Sequence, residues 1–107
     1  PETSLKCIQI TKKMGWCNDI KFPKNYNKLI TLKRKPKCEK LCRNDYKYNL
    51  LIPIKYNFYK PIIGRGSCIF IHLTKDYKPT AGCIALKEKD FLIMLKIIRK
   101  NSKIKIF

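Results

Sequence analysis

Apolar positions recur along this chain with two different periods. From Glu88 to Lys100, Phe91, Met94, Leu95 and Ile98 fall at i, i+3, i+4 and i+7, one stripe along an α-helix. Glu88 and Asp90 sit near the positive end of the helix dipole and Arg99 and Lys100 near its negative end, with Asn101-Ser102 as the stop. Elsewhere the period is two. Cys68 to Leu73 alternates so that Cys68, Phe70 and His72 share one face of a strand and Ile69, Ile71 and Leu73 the other, which puts His72 at the strand's end. Cys7 to Ile10 and Lys103 to Phe107 alternate as short strands, and Lys28 to Lys33 as an edge strand guarded by its lysines. Asn49 to Tyr56 is apolar, but Pro53 confines it to a sheet edge or a bulge. Met14 to Asp19 reads as turn-rich, Glu39 to Arg43 as a helical turn with Cys38 and Cys42 on one side, and Pro61 to Gly66 as a turn feeding the strand that follows. The expectation is a mostly-β, sandwich- or barrel-like domain with one packed C-terminal helix.

A length of 107 residues makes a single domain with a modest core. No apolar run approaches the roughly 18 residues that a membrane span needs, and no signal peptide or internal repeat is present. The charge balance changes the picture more. With 25 Lys+Arg against 7 Asp+Glu, the net charge is +18, which attracts polyanions such as nucleic acid or an acidic envelope polymer. Lysine dominates, and the densest run, Lys33-Arg34-Lys35-Pro36-Lys37, is short and broken by proline. Such a charge reads as a solvated surface rather than a sequence-specific nucleic-acid interface.

Six cysteines allow a disulfide framework, a zinc site or mostly free thiols with one reactive member. Zinc is disfavoured because Cys38-x-x-x-Cys42 has no second pair and only one histidine exists, so no metal or other cofactor is expected. Cys68 reads as a small hydrophobe inside a strand, and Trp16, the sole tryptophan, as a packed anchor or a substrate platform. The reactive candidate is Cys83. It follows Gly82, and the polar segment Thr74 to Pro79 returns the chain to the end of the strand that carries His72. A cysteine nucleophile needs a base in hydrogen-bond reach and donors for an oxyanion, and a strand-end histidine with a Gly-Cys turn can supply both.

These residues resemble a family. Gly66-Ser67-Cys68-Ile69-Phe70-Ile71-His72, then Pro79-Thr80-Ala81-Gly82-Cys83-Ile84-Ala85-Leu86, looks like the signature of the L,D-transpeptidase (YkuD-type) catalytic domain, which crosslinks bacterial peptidoglycan. One branch of that family also carries Gly-Trp-Cys followed by acidic residues, as in Gly15-Trp16-Cys17-Asn18-Asp19. Tyr26-Asn27, Glu39 to Asp45 and Tyr56-Asn57 fit the same pattern, so the resemblance runs from about Met14 to the end of the chain. The chain departs from better-known members, which read His-Gly-Cys followed two residues later by Asn, at Ala81 and Ala85, which stand at the histidine and asparagine places. Cys42 stands where many of the branch have tryptophan.

The resemblance implies a YkuD-type β-fold, here as a partial domain over residues 1–107, since the family places further strands ahead of Gly-Trp-Cys. It implies that Cys83 attacks the carbonyl of the third residue of a tetrapeptide stem and expels the terminal D-alanine, and that an amine of a neighbouring stem resolves the thioester. Water in place of the amine makes an L,D-carboxypeptidase. His72 is expected to act as base and acid, Gly82 and Cys83 to offer oxyanion N–H groups, Thr80 to orient the site, and the Leu73 carbonyl to hold the imidazole tautomer. Cys17 has either a substrate-side or a structural role. Peptidoglycan stem peptides are the implied partner and the cell envelope the implied place. A non-catalytic basic module that binds nucleic acid or anionic wall polymer is the competing expectation.

Overall fold

The structure, a computed structural model, describes residues 2–77 and 83–105. Among these described residues, six short strands form two three-stranded sheets, with one helix after them. In the first sheet β1 (Met14–Cys17) is central, flanked by β2 (Leu29–Thr31) and β3 (Cys38–Lys40), all antiparallel. In the second, β5 (Phe70–Leu73) is central, antiparallel to β4 (Leu51–Pro53) and parallel to β6 (Ile84–Leu86). The helix α1 (Glu88–Ile97) follows β6 directly. Mostly β with one C-terminal helix is therefore the observed class.

The alternation along β5 decides the layering. Phe70, fully buried, joins Trp16, Leu41, Tyr48 and Cys68 in a cluster that bridges the two sheets. Ile71 and Leu73 point the other way, into a second cluster with Phe91 and Leu95 of α1, flanked by Met94 and Ile98. The helical stripe is thus the core-facing one. The helix itself is shorter than its period suggests. Ile98 has extended backbone and its N–H caps the Met94 carbonyl, so Lys96 occupies the last turn and Arg99 and Lys100 lie beyond it.

Five other expectations are corrected. Met14 to Cys17 is a central strand, not a turn. Gly15 is there because a Cβ would come within 2.5 Å of Leu32 Cδ2 and 2.9 Å of Cys38 Cβ, a close approach rather than a bend. Cys38 to Lys40 pairs with β1 instead of turning helically, tertiary pairing overriding local spacing. Cys7 to Ile10 is not a strand; among the described residues no strand pairs with it, and Ile8 is exposed. Residues 103–105 are likewise outside any strand, and 106–107 fall outside the described residues. Finally, β5 starts at Phe70, because Cys68 takes a left-handed φ of 59° that ends strand geometry ahead of it. The expected edge strands hold: β2 and β4 both lie at sheet edges, with Pro53 closing β4.

A polar peg fastens the two halves. Asn27 is 2 % exposed with φ 58°, and its side chain is fully used. Its Oδ1 accepts from Trp16 Nε1 at 2.8 Å, and its Nδ2 donates to the carbonyls of Tyr56 and Asn57 at 2.9 and 2.6 Å. Asn57, also left-handed, repeats the device by gripping Ile62 and Gly66. Ser67 Oγ then donates to the Cys17 carbonyl at 2.7 Å, so the segment entering β5 is tied to the end of β1.

Candidate active site

His72 lies inside β5, paired with Leu51 on one side and Ala85 on the other, and is half-buried. Its ring Nδ1 is 2.9 Å from the Leu73 carbonyl. A carbonyl oxygen only accepts, so the proton belongs on Nδ1 and the lone pair is left on Nε2. This is the tautomer that a general base working through Nε2 requires.

Cys83 immediately precedes β6. The register Ile71↔Ile84, His72↔Ala85 sets it beside Phe70, and it packs against the cluster that contains Phe70. Residues two apart on a strand share a face, so the register carried one residue back from Ile84 puts Cys83 on the side of the parallel pair that carries Phe70 and His72. The small Ala85 sits directly opposite the imidazole. Cys83 Sγ donates to the Cys68 carbonyl at 3.2 Å, and the left-handed backbone of Cys68 accompanies this placement of its carbonyl. Proton transfer to His72 therefore requires the S–H to turn from that carbonyl to the ring. The Cys68 thiol, by contrast, is pushed up to about 12 by burial, with Glu39 and Cys83 adding to it, and has no thiolate to offer near neutral pH.

The flank of the site is one that sequence reasoning did not find. The Tyr48 ring stands 5.8 Å from His72 and edge-on to Phe70 at 5.7 Å. Its hydroxyl donates to Glu39 Oε1 at 3.0 Å; burial, then Glu39 and Cys83, raise its pKa well above the ordinary phenol value. Arg43 lies over the same ring at 5.0 Å and makes a two-pronged pair with Asp45, at 2.9 and 2.6 Å. That pair holds the Asp45 carboxyl well below the usual carboxylate range. Glu39, Arg43 and Asp45 also line an open polar cavity of about 840 Å³ together with Asn18 and Cys42. The only available signal was the acidic-basic spacing between Glu39 and Asp45; nothing local connects Tyr48 to His72.

Thr80 and Gly82, expected to orient the site and to offer oxyanion donors, lie outside the described residues, as does the rest of 78–82. The segment before them is anchored at the start of α1, where the Tyr77 hydroxyl donates to Asp90 and accepts from the Lys87 N–H. Trp16 is a packed anchor, 5 % exposed and bonded to Asn27. All six cysteines are thiols. Among the described residues no cluster of three or more His, Cys, Asp or Glu side chains is placed to hold a metal ion, and no helix is long and apolar enough to cross a membrane. Compared whole with family models, curated proteins and solved structures, the chain matches none of them.

Proposed function

We propose that the protein is a cysteine acyltransferase of the L,D-transpeptidase kind, with a YkuD-type fold, acting on peptidoglycan stem peptides in the cell envelope. The observation that carries this reading is the parallel β5–β6 pairing, which has Cys83 and His72 on one face while the Leu73 carbonyl fixes the imidazole proton on Nδ1. The motif from Gly66 to His72 and from Pro79 to Leu86 supplies the reaction class.

In the first half-reaction the Cys83 thiol passes its proton to His72 Nε2 and its sulfur adds to the carbonyl carbon of the donor stem's third residue. The C–N bond to the terminal D-alanine then breaks, and the imidazolium returns the proton to the leaving amine. In the second, an acceptor amine gives a proton to Nε2, attacks the thioester and releases the Cys83 thiolate. Thr80 and the N–H groups of Gly82 and Cys83 take the orienting and oxyanion roles. Water as acceptor turns the same site into a carboxypeptidase. The +18 charge favours a second reading, a basic module that holds anionic polymer, and it also suits an enzyme working on an acidic envelope. Mass spectrometry after exposure to a carbapenem separates them. A stoichiometric adduct on Cys83, absent from Cys83→Ser, supports the enzyme; an inert Cys83 in a folded protein sinks it.

A further inference from the structure

Cys17 ends β1 and Cys38 begins β3, and the two are directly opposed in the antiparallel ladder. The kind of pair they form follows from the flanking hydrogen bonds. Asn18 N–H donates to the Lys37 carbonyl and Leu41 N–H to the Met14 carbonyl, both at 3.2 Å. Bonded and non-bonded pairs alternate along an antiparallel ladder, so Trp16↔Glu39 is a bonded pair and Cys17↔Cys38 a non-bonded one. Non-bonded pairs bring Cα atoms to about 4.5 Å with the side chains at their closest, inside the roughly 4.4–6.8 Å window of a disulfide. Both side chains share the face opposite Trp16, where Gly15 has no room for a Cβ against Cys38. Cys17 has no exposed surface, while Cys38 is partly exposed and its thiol donates to the Pro36 carbonyl at 3.3 Å.

We propose that Cys17 and Cys38 are a redox pair that closes into a cross-strand disulfide. The oxidant is a small-molecule or protein disulfide. The accessible Cys38 loses its proton to solvent and its thiolate attacks one sulfur of that disulfide, expelling a thiolate and leaving a mixed disulfide. Cys17, deprotonated in turn, attacks the Cys38 sulfur and expels the second thiolate. Two protein thiols are oxidised, and one external disulfide is reduced to two thiols. Burial, then the neighbouring Cys17, raises the Cys38 thiol above its ordinary value, so exchange is slow at neutral pH and quickens as pH rises. The remaining cysteines are placed differently: Cys7 and Cys42 are exposed, Cys68 is buried, and Cys83 is turned to the Cys68 carbonyl. The closed pair would staple β3, which carries Glu39 and through it Tyr48, to the strand whose Cys17 carbonyl holds Ser67. The proposal does not depend on the acyl-transfer reading.

The test is to incubate the full chain with glutathione disulfide, quench with acid, and map peptides without reduction. The first bond to form between two protein cysteines should link Cys17 to Cys38, a peptide pair lighter by about 2 Da than the two thiols, the two hydrogens lost. Its rate should rise with pH. The oxidised form should melt higher than the reduced by on the order of 10 °C, and Cys38→Ser should show neither change. Cys17→Ser should instead accumulate the mixed disulfide on Cys38. Should that variant fail to fold, the map of the native chain still decides. A different pair forming first, or a mixed disulfide on Cys38 that Cys17 never resolves in the native chain, overturns the proposal.

Discussion

Asn27 shows how much one amide can do in this molecule. It satisfies the Trp16 indole and two main-chain carbonyls, in a left-handed conformation that asparagine tolerates better than alanine. Asn27→Asp should destabilise the fold by roughly 2–4 kcal/mol in urea titration, because a carboxylate would face two carbonyl oxygens that need donors. An unchanged midpoint would mean the peg carries no strain and no burden. Elsewhere, the Arg43 guanidinium holds Asp45 low. The Asp45 carboxyl of the unfolded chain titrates near about 3.9, so the pair adds stability above that pH and loses it as pH falls through the lower folded value. Asp45→Asn should therefore lower stability slightly near pH 7, where the pair contributes, and flatten the acid limb, the two proteins converging as pH falls through the lower folded value. Residue chemistry that depends on the next residue in the chain is legible in sequence, as with the contact between His72 and the Leu73 carbonyl. The Tyr48–Glu39 flank is not, since the Tyr48 ring meets the imidazole only through tertiary packing, and Glu39 is joined to it through the Tyr48 hydroxyl.

At the scale of elements, α1 braces the strand pair that carries the site. Phe91 is 1 % exposed against Ile71 and Leu73, whereas its neighbour Leu92 is 37 % exposed. Phe91→Ala should cost about 3–5 kcal/mol in denaturant unfolding and Leu92→Ala within about 0.5 kcal/mol. Similar losses at both positions would contradict the layering. The helix was visible in sequence because its stripe is long and its period distinct. The strands were visible only where alternation coincided with a partner: Lys28 to Lys33 and Asn49 to Tyr56 found one, and Cys7 to Ile10 did not. Cys38 to Lys40 was hidden because three residues carry no period, and their conformation is dictated by β1. Gly15 misled in the same way, since a glycine that admits a neighbour looks identical in sequence to one that makes a turn.

For the whole molecule, 25 basic residues on 107 repel one another. Raising salt through the physiological range should therefore raise the melting temperature and weaken binding to DNA or any other polyanion by roughly tenfold or more. A complex with one DNA sequence that survives such salt would favour the binding-module reading over the enzyme. Charge was plain in the sequence from the start, but it does not identify a partner. The central claim rests instead on two side chains that the β5–β6 register brings to one face, Cys83 and His72. Its most direct test is alkylation with iodoacetamide across pH, with peptide mapping, of the native chain and of His72→Ala. Cys83 should label first of the six cysteines, and His72→Ala should slow it roughly tenfold or more near neutral pH, with the rate recovering in alkaline buffer. Labelling of another cysteine ahead of Cys83, or a Cys83 profile that His72→Ala leaves unmoved, would contradict the dyad.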